Sequence, residues 1–451
     1  VVGGGIHGAA VAWDAAQRGL KVALVEARDF ASGVSWNSLK TIHGGLRYLQ
    51  TLDLRRMRSS IRERSALLRI APELVRPLPF LVPTYGHGAK GREALGMAML
   101  VGDLLSADRN RDLPPERRLP PGRLLSPAEA LELAPELPRE GLSGAALYHD
   151  AQVQSSERLL IALLRAADES GALLANQAEV TGLLVERGRV RGARVRDHVA
   201  GADLDLRATL TVNAAGPACD RLLALAGLKR PPLPLLRAWN LVLSRAVTGP
   251  QALGMRSGGR YLFAVPWARR SMLGTAYEMP DTGPGWRAFV AEAAAAFPWA
   301  GLREEDVAVV HCGLVPGSGD ATGLATRTLL VDHESEDGLP GLLSVVGVKY
   351  TTARGVAERV VDLACARLAR RAAPCRTAAT LLAHARPLEG TLEQRARVAA
   401  RDEMALRLDD DELAAVAAAL GAELGWDPAR QAAEIERLRG LYPAPSPGLL
   451  R

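Results

Sequence analysis

Hydrophobic and polar positions change period several times along this 451-residue chain, and the changes mark its elements. Val1-Val2 reads as the end of an apolar strand, and an Ala-rich run to about Arg18-Gly19 reads as a helix. Residues 21–26 (KVALVE) form a second apolar strand closed by an acid. Residues 52–71 place Leu54, Met57, Ile61 and Leu68 on one side of a helix and arginines over much of the rest. Residues 155–170 read as a helix, residues 178–199 as a hairpin turning at Arg187-Gly188, and residues 209–213 as a short strand returning to the first sheet. Residues 230–346 alternate short strands with Gly/Pro turns, as a sheet-based domain does. The apolar run 342–348 (LLSVVGV) predicts a strand, followed by a helix from about Thr351 to Arg371 with Thr351 or Thr352 as its cap. Residues 108–141, rich in Pro and charge, read as loop, and 373–391 as a linker. Residues 392–441 predict two or three helices, one opening at Asp427-Pro428, where Asp can cap and Pro can occupy the first turn.

The first strand–helix–strand unit carries chemistry. Gly3, Gly5 and Gly8 fit G-x-G-x-x-G. In such a unit the first glycine permits the tight turn, the second lets the backbone approach a pyrophosphate, and the third lets helix and strand pack closely. The helix start then offers unpaired N–H groups and a positive dipole end to phosphates. Glu26 stands where an acid accepts ribose hydroxyls. Strand, helix and acid are all in place, so a dinucleotide site is expected, although the motif does not separate NAD from FAD. Residues 32–50 (SGVSWNSLKTIHGGLRYLQ) read as a polar loop leaving this unit, with donors for phosphate, ribose or a ring.

Composition narrows the picture in places. The 56 basic and 50 acidic residues give a net charge of +6, but the two signs are interspersed and no basic stripe or nucleic-acid motif appears. Only Lys21, Lys40, Lys90, Lys229 and Lys349 depart from an otherwise all-Arg set of basic residues. Arg and Lys are not interchangeable where a compact ammonium is needed, which gives Lys40 and Lys349, both inside motifs, more weight. Cys219, Cys312, Cys365 and Cys375 are too scattered for a metal site and fit a reducing compartment. No signal peptide is visible, and no apolar run reaches the ~18 residues a membrane span needs. A start inside a strand, without Met, is read as a truncated or processed N-terminus. The arginine-clad helix over 52–71 suits an anionic membrane surface or, as the commoner case, packing on the domain with a solvated face.

Taken together, several stretches resemble the FAD-dependent glycerol-3-phosphate dehydrogenase family of the D-amino-acid-oxidase-like superfamily. Residues 3–33 resemble its FAD-binding start, and SLKTIHGGLRYLQ resembles its S-K-L-I-H-G-G-L-R-Y-L-E signature. DAQVQSSERL from Asp150, NAAGP from Asn213, VPW from Val265, Gly274-Thr275 and GVKYTTAR from Gly347 follow in the family's order. The resemblance runs from residue 1 to about 360, and less clearly through the C-terminal helices. It implies an α/β (α+β overall) architecture: a Rossmann-like FAD domain, expected over 1–75, 142–225 and 341–372, interleaved with an antiparallel-sheet substrate domain over 76–141 and 226–340. A C-terminal helical region is expected over 385–451.

The resemblance also implies hydride transfer from C2 of glycerol 3-phosphate to FAD, giving dihydroxyacetone phosphate, with a quinone or, in the oxidase branch, oxygen as electron acceptor. It places the enzyme in the cytoplasm, or peripherally on the inner face of the cytoplasmic membrane. Carried over by position, Gly3, Gly5, Gly8, Glu26, Ser35, Lys40, His43, Gly44, Gly45, Gly216, Gly347, Lys349 and Thr351 line FAD. Arg47, Tyr48, Arg327 and Lys349 serve the small anionic substrate, Arg327 holding its phosphate. Guanidinium suits phosphate because it binds in a fork. Lys349 stands before a helix start that can stabilise negative charge on reduced flavin. His43 is one candidate for the proton acceptor, beside a group the sequence does not locate.

The pocket departs from the family pattern. Val315 replaces a phosphate-binding Arg, Asn240 a His, and Tyr277 an Asp, while Trp36 and Leu39 stand where small hydroxyl residues are usual. Two other readings therefore stand beside the first: an FAD enzyme acting on another hydroxy or amino compound, and a non-catalytic flavin-binding protein.

Overall fold

The computed structural model describes residues 1–86, 91–319, 323–371, 373–383 and 410–441. Two sheets organise them. In the first, Leu173–Ala175, Ala23–Val25, Val2, Thr211–Asn213 and Leu342–Val346 run parallel in that order, and Leu329–Asp332 closes the edge antiparallel. Strands covered on both faces are apolar throughout, which is why KVALVE and LLSVV lack clean alternation. One face is covered by helices Ile6–Gln17, Ser156–Glu169 and Ala353–Arg367, the first lying between the other two. Its alanines Ala9, Ala10, Ala12, Ala15 and Ala16 are buried, and small side chains let three helices approach closely. Arg18 locks that packing by bonding Asp14 and, at 2.5 Å, Asp362 of the third helix. The other face carries an antiparallel sheet of Ala178–Glu186, Arg189–Asp197 and Ala202–Arg207, which packs Val180 and Val195 near Val25.

The second sheet has nine strands. Its spine runs from Val307–Pro316 through Leu235–Leu243, Arg270–Glu278, Arg260–Trp267, Ala252–Ser257, Val75–Tyr85 and Leu142–Val153 to Thr41–Ile42. All neighbours are antiparallel except Ala252–Ser257 against Val75–Tyr85. Helix Gly285–Ala296 covers one face with Trp286, Phe289 and Val290.

Several expectations are met: the Arg187-Gly188 turn, helix Ser156–Glu169, strand Thr211–Asn213, and helix Pro428–Leu441 capped by Asp427, whose carboxylate accepts from Arg430 N at 2.7 Å. Others are corrected. Residues 108–141 are not all loop: they contain strand Arg123–Leu125 and helix Pro127–Leu133, which opens on a Ser126/Glu129 capping box. The loop 32–50 holds strand Thr41–Ile42 and enters the 3-10 turn Leu46–Thr51. The late helix spans Ala353–Arg367, shorter at both ends than expected, and Thr352 at its N-cap makes no side-chain cap bond. Strand Leu142–Val153, expected with the dinucleotide domain, pairs with Val75–Tyr85, while Leu329–Asp332, expected with the substrate domain, pairs with Leu342–Val346. Of the C-terminal region, Asp410–Leu424 and Pro428–Leu441 are helical, and residues 384–409 and 442–451 lie outside the described residues.

Candidate functional site

A cavity of about 1770 Å³ lies between the two sheets. It exceeds the ~300–1,000 Å³ usual for a single small ligand, so it has room for a dinucleotide with a substrate beside it. Gly3, Gly5 and Glu26 line it at the start of helix Ile6–Gln17. Gly3 has φ +110°, and a Cβ there would sit 2.6 Å from the Ala214 carbonyl oxygen. A Cβ on Gly8 would sit 1.9 Å from the Gly3 carbonyl oxygen. Gly8 is therefore behind the turn, allowing helix and strand to touch. Glu26 accepts from Gly4 N at 2.7 Å and Arg28 N at 3.0 Å, which fixes its carboxylate at the cavity edge. Ser35 Oγ accepts from Ile6 N at 2.9 Å and so sits at the helix start.

His43, Gly45, Tyr48, Gly347, Lys349 and Thr351 stand on the wall of the same cavity. Lys349 Nζ lies 3.8 Å from the Tyr48 ring centroid, and the His43 ring lies edge-on at 6.3 Å. Gly45 has φ +81°, and a Cβ there would also lie 2.4 Å from the Tyr48 ring. Gly216 also lines the cavity, at φ +58°.

Other expected site residues stand elsewhere. Lys40 is buried, and its ammonium donates to Trp36 O at 2.8 Å, Ser156 Oγ at 2.7 Å and Glu157 Oε2 at 3.0 Å. Burial pulls its pKa down while Glu157 opposes that. Tyr350 Oη donates to Ser156 O at 2.5 Å. One helix start thus anchors both the 36–40 loop and the 349–351 turn, so Lys40 positions a wall of the cavity from behind. Gly44 is likewise behind the wall: its N–H donates to Asp150 Oδ1 at 2.6 Å, beside the buried Arg64–Asp150 ion pair. Arg327 is exposed, one residue past the lining residue Thr326. Arg47 belongs to the turn Leu46–Thr51, and its side chain lies outside the described set.

Sequence reading passed over His7, Arg56, Asp150 and Glu157 as functional candidates. His7 occupies a variable position of the glycine motif and faces the cavity. Its Nε2 is buried without a hydrogen-bond partner, and a Cβ on Gly347 would strike it at 1.8 Å. Burial lowers its pKa to about 4, so the ring is neutral near pH 7. The signal available in sequence was only a polar residue inside a motif whose x positions are usually ignored. Val315, Asn240 and Tyr277 all line the cavity. Asn240 is buried, accepts from Thr275 Oγ1 at 2.7 Å and reaches Asn37 at 3.4 Å.

These residues fit a flavin dinucleotide. The cradle has no Cβ where a pyrophosphate would approach, a helix start faces it, an acid stands at its rim, and His7 Nε2 presents an unused polar atom beside the 347–351 turn. Among the described residues no group of acids, His and Cys is arranged to hold a metal ion.

Comparison with known proteins agrees. Residues 1–363 match the family model described as FAD dependent oxidoreductase. The glycerol-3-phosphate dehydrogenase of Synechocystis sp. is 32% identical over 404 residues, covering 84% of this chain and 71% of that protein. That of Mycobacterium leprae is 34% identical, covering 83% of this chain and 64% of that protein. The structure of the Bacillus halodurans glycerol-3-phosphate dehydrogenase complexed with FAD superposes with a TM-score of 0.64 at 27% identity, covering 98% of this chain and 74% of that one. Cradle, cavity and relatives converge: the chain belongs to the FAD-dependent oxidoreductase family, in its glycerol-3-phosphate dehydrogenase branch.

Proposed function

We propose that this chain oxidises glycerol 3-phosphate at C2 to dihydroxyacetone phosphate, with FAD as hydride acceptor and a quinone as the final electron acceptor. The observation that carries the reading is that the glycine cradle and the His43–Tyr48–Lys349 cluster share one cavity. FAD, when bound, supplies the two-electron acceptor that amino-acid side chains lack. Gly3, Gly5, Glu26, Ser35 and Gly216 would hold its dinucleotide part; Gly45, Gly347, Lys349 and Thr351 would surround its ring system, with Gly8, Lys40 and Gly44 shaping the walls. In the alcohol oxidation the C2–H bond breaks with its electron pair leaving as hydride, and the hydroxyl proton passes to a base. His43 takes that proton at its imidazole. The Lys349 ammonium, held against the Tyr48 ring, stabilises the negative charge that develops on the alcohol oxygen. Arg47, on the turn that carries Tyr48, and Arg327, one residue past Thr326 at the cavity rim, are the cations this reading assigns to the substrate anion.

A different hydroxy or amino compound is the second reading. It is favoured by Val315, which puts an apolar side chain on the cavity wall. Product analysis separates the two. With glycerol 3-phosphate and a short-chain quinone, the account expects one dihydroxyacetone phosphate per quinone reduced, and a loss of about 10²-fold or more in rate for His43→Gln. Quinone reduction without that ketone would remove the substrate assignment.

The same site supports a membrane setting. Helix Arg92–Leu105 packs Gly102 against Leu46 and Met57, in the cluster that holds Tyr48. Its outward face carries Met97, Leu100 and Leu104, 62%, 56% and 70% exposed, and Leu52 nearby in sequence to that cluster is 77% exposed. This apolar stripe beside the substrate end suits peripheral docking on a bilayer from which a quinone is reached.

A further inference from the structure

The loop after the first sheet meets the second sheet along the cavity wall, and a chain of polar side chains crosses the seam. Strands Leu235–Leu243 and Arg270–Glu278 lose register there: Trp239 pairs with Ala276 and Asn240 with Gly274, which leaves Thr275 as an extra residue. A bulge of this kind re-aims side chains. Thr275 Oγ1 donates to Asn240 Oδ1 at 2.7 Å, and Asn240 Nδ2 donates to Asn37 Oδ1 at 3.4 Å. Asn37 and Asn240 are 5% and 2% exposed, and all three residues line the cavity. Two glycines make room for them. A Cβ on Gly274 would lie 2.1 Å from Asn240 Oδ1, and one on Gly313 would lie 2.6 Å from Asn37 Nδ2.

The order of donors leaves one group over. Asn37 Oδ1 is taken, and its Nδ2 is buried with no hydrogen-bond partner in the protein. A buried amide donor without an acceptor is costly, and folded proteins rarely keep one. A carboxamide N–H takes an oxygen or nitrogen acceptor and cannot pair with an ammonium group. Asn37 is two residues past Ser35, so about 7 Å of chain at most separates it from the residue that bonds the start of helix Ile6–Gln17. Asn240 and Thr275 stand on the other side of the seam, in the second sheet.

We infer that Asn37 donates a hydrogen bond to an acceptor atom of the cavity's ligand, and that Asn240 and Thr275 are positioning residues that fix its carboxamide. Two sources offer that chemistry: the flavin ring, and the oxygen on C2 of the substrate alcohol. The second rests on the proposed reaction, and the first does not.

Two titrations separate them. Apoprotein is titrated with FAD by flavin fluorescence, and the rate of flavin bleaching in the FAD-loaded protein is followed against glycerol 3-phosphate concentration. Asn37→Ala is expected to weaken one of the two by about three- to tenfold, the scale of one neutral hydrogen bond. Weaker FAD binding assigns the acceptor to the flavin. Unchanged FAD affinity with a raised half-saturation by substrate assigns it to the alcohol oxygen. Asn37→Asp, which puts an acceptor in the donor's place, is expected to bind at least as weakly as Asn37→Ala. Asn240→Ala is expected to reproduce the Asn37→Ala loss, and the double variant to add little to it. Circular dichroism shows that each variant has folded. Thr275→Val, which keeps the side chain's shape, is expected to shift the same titration in the same direction, and it decides the matter should an Asn variant not fold. Wild-type values in both titrations for Asn37→Ala or, failing that, Thr275→Val, or wild-type values for Asn37→Asp, overturn the assignment. If glycerol 3-phosphate leaves the wild-type flavin oxidised, the proposed reaction falls and the FAD titration alone decides: a loss in Asn37→Ala upholds the role of Asn37, and no loss removes it.

Discussion

At the residue scale the site depends on atoms that are missing as much as on those present. Gly3, Gly8, Gly45 and Gly347 each stand where a Cβ would collide with backbone or a ring. Gly3 and Gly8 were readable from the sequence because the dinucleotide glycine motif has a known geometric cause, whereas Gly45 and Gly347 came from the family resemblance. His7 was not readable, because its meaning comes from the Gly347 backbone 340 positions away. Its neutral, half-buried ring, with Nε2 out of reach of water, makes a pH prediction. The folded-state pKa, about 4, lies below the unfolded value of about 6.5, so between them the unfolded chain binds more protons. Stability contributed by the neutral ring is complete above about pH 6.5 and is lost as pH falls towards 4, by about 3 kcal/mol at most. Thermal unfolding of His7→Asn across that range should show a shallower acid limb than wild type; parallel curves would mean that the ring is solvated in the folded protein.

Among the elements, helix Leu54–Ile70 shows what periodicity reveals and what it hides. Its apolar side was legible in part: Met57, Ile61 and Leu68 are buried, whereas Leu54, expected on the same side, is 42% exposed. Its charged remainder was read as solvated, yet Glu63 and Arg64 are buried too. Glu63 bonds Arg354 at 2.7 and 2.8 Å, tying this helix to Ala353–Arg367, and Arg64 pairs with Asp150, which holds Gly44. Sequence pattern cannot distinguish a charge facing water from one facing a partner about 290 residues away. Burial raises the Glu63 pKa against the pull of Arg354, so the pair stands on its hydrogen bonds. Glu63→Gln should cost about 3 kcal/mol in denaturant unfolding, the low end for breaking a buried pair, because Glu358 remains 3.0 Å from Arg354. A cost under about 0.5 kcal/mol, the size of a surface change, would show that the pair does not hold the two helices together.

On the scale of the whole molecule, the strand–helix–strand start, the return strand and the late strand were legible, and they assemble into one parallel sheet. The sheet boundaries were not, because pairing of Leu142–Val153 with Val75–Tyr85 is a long-range choice that neither segment's pattern states. The three prolines of Val75–Tyr85, Pro77, Pro79 and Pro83, even argue locally against a strand inside a sheet. Helix Arg92–Leu105 had no sequence expectation, and it carries the exposed apolar stripe. No helix among the described residues is long and apolar enough to cross a membrane. Replacing Met97 and Leu104 with Glu should abolish co-sedimentation with anionic vesicles while leaving bound FAD intact; undiminished co-sedimentation would move the contact elsewhere.

The central claim is that the cavity oxidises a phosphate-bearing alcohol through its flavin. Anaerobic titration of the FAD-loaded protein with glycerol 3-phosphate, following the visible flavin band, tests it most directly. The account predicts bleaching that tracks the added substrate and reaches completion. A band that stays oxidised in excess glycerol 3-phosphate, but bleaches with another hydroxy or amino compound, would contradict it.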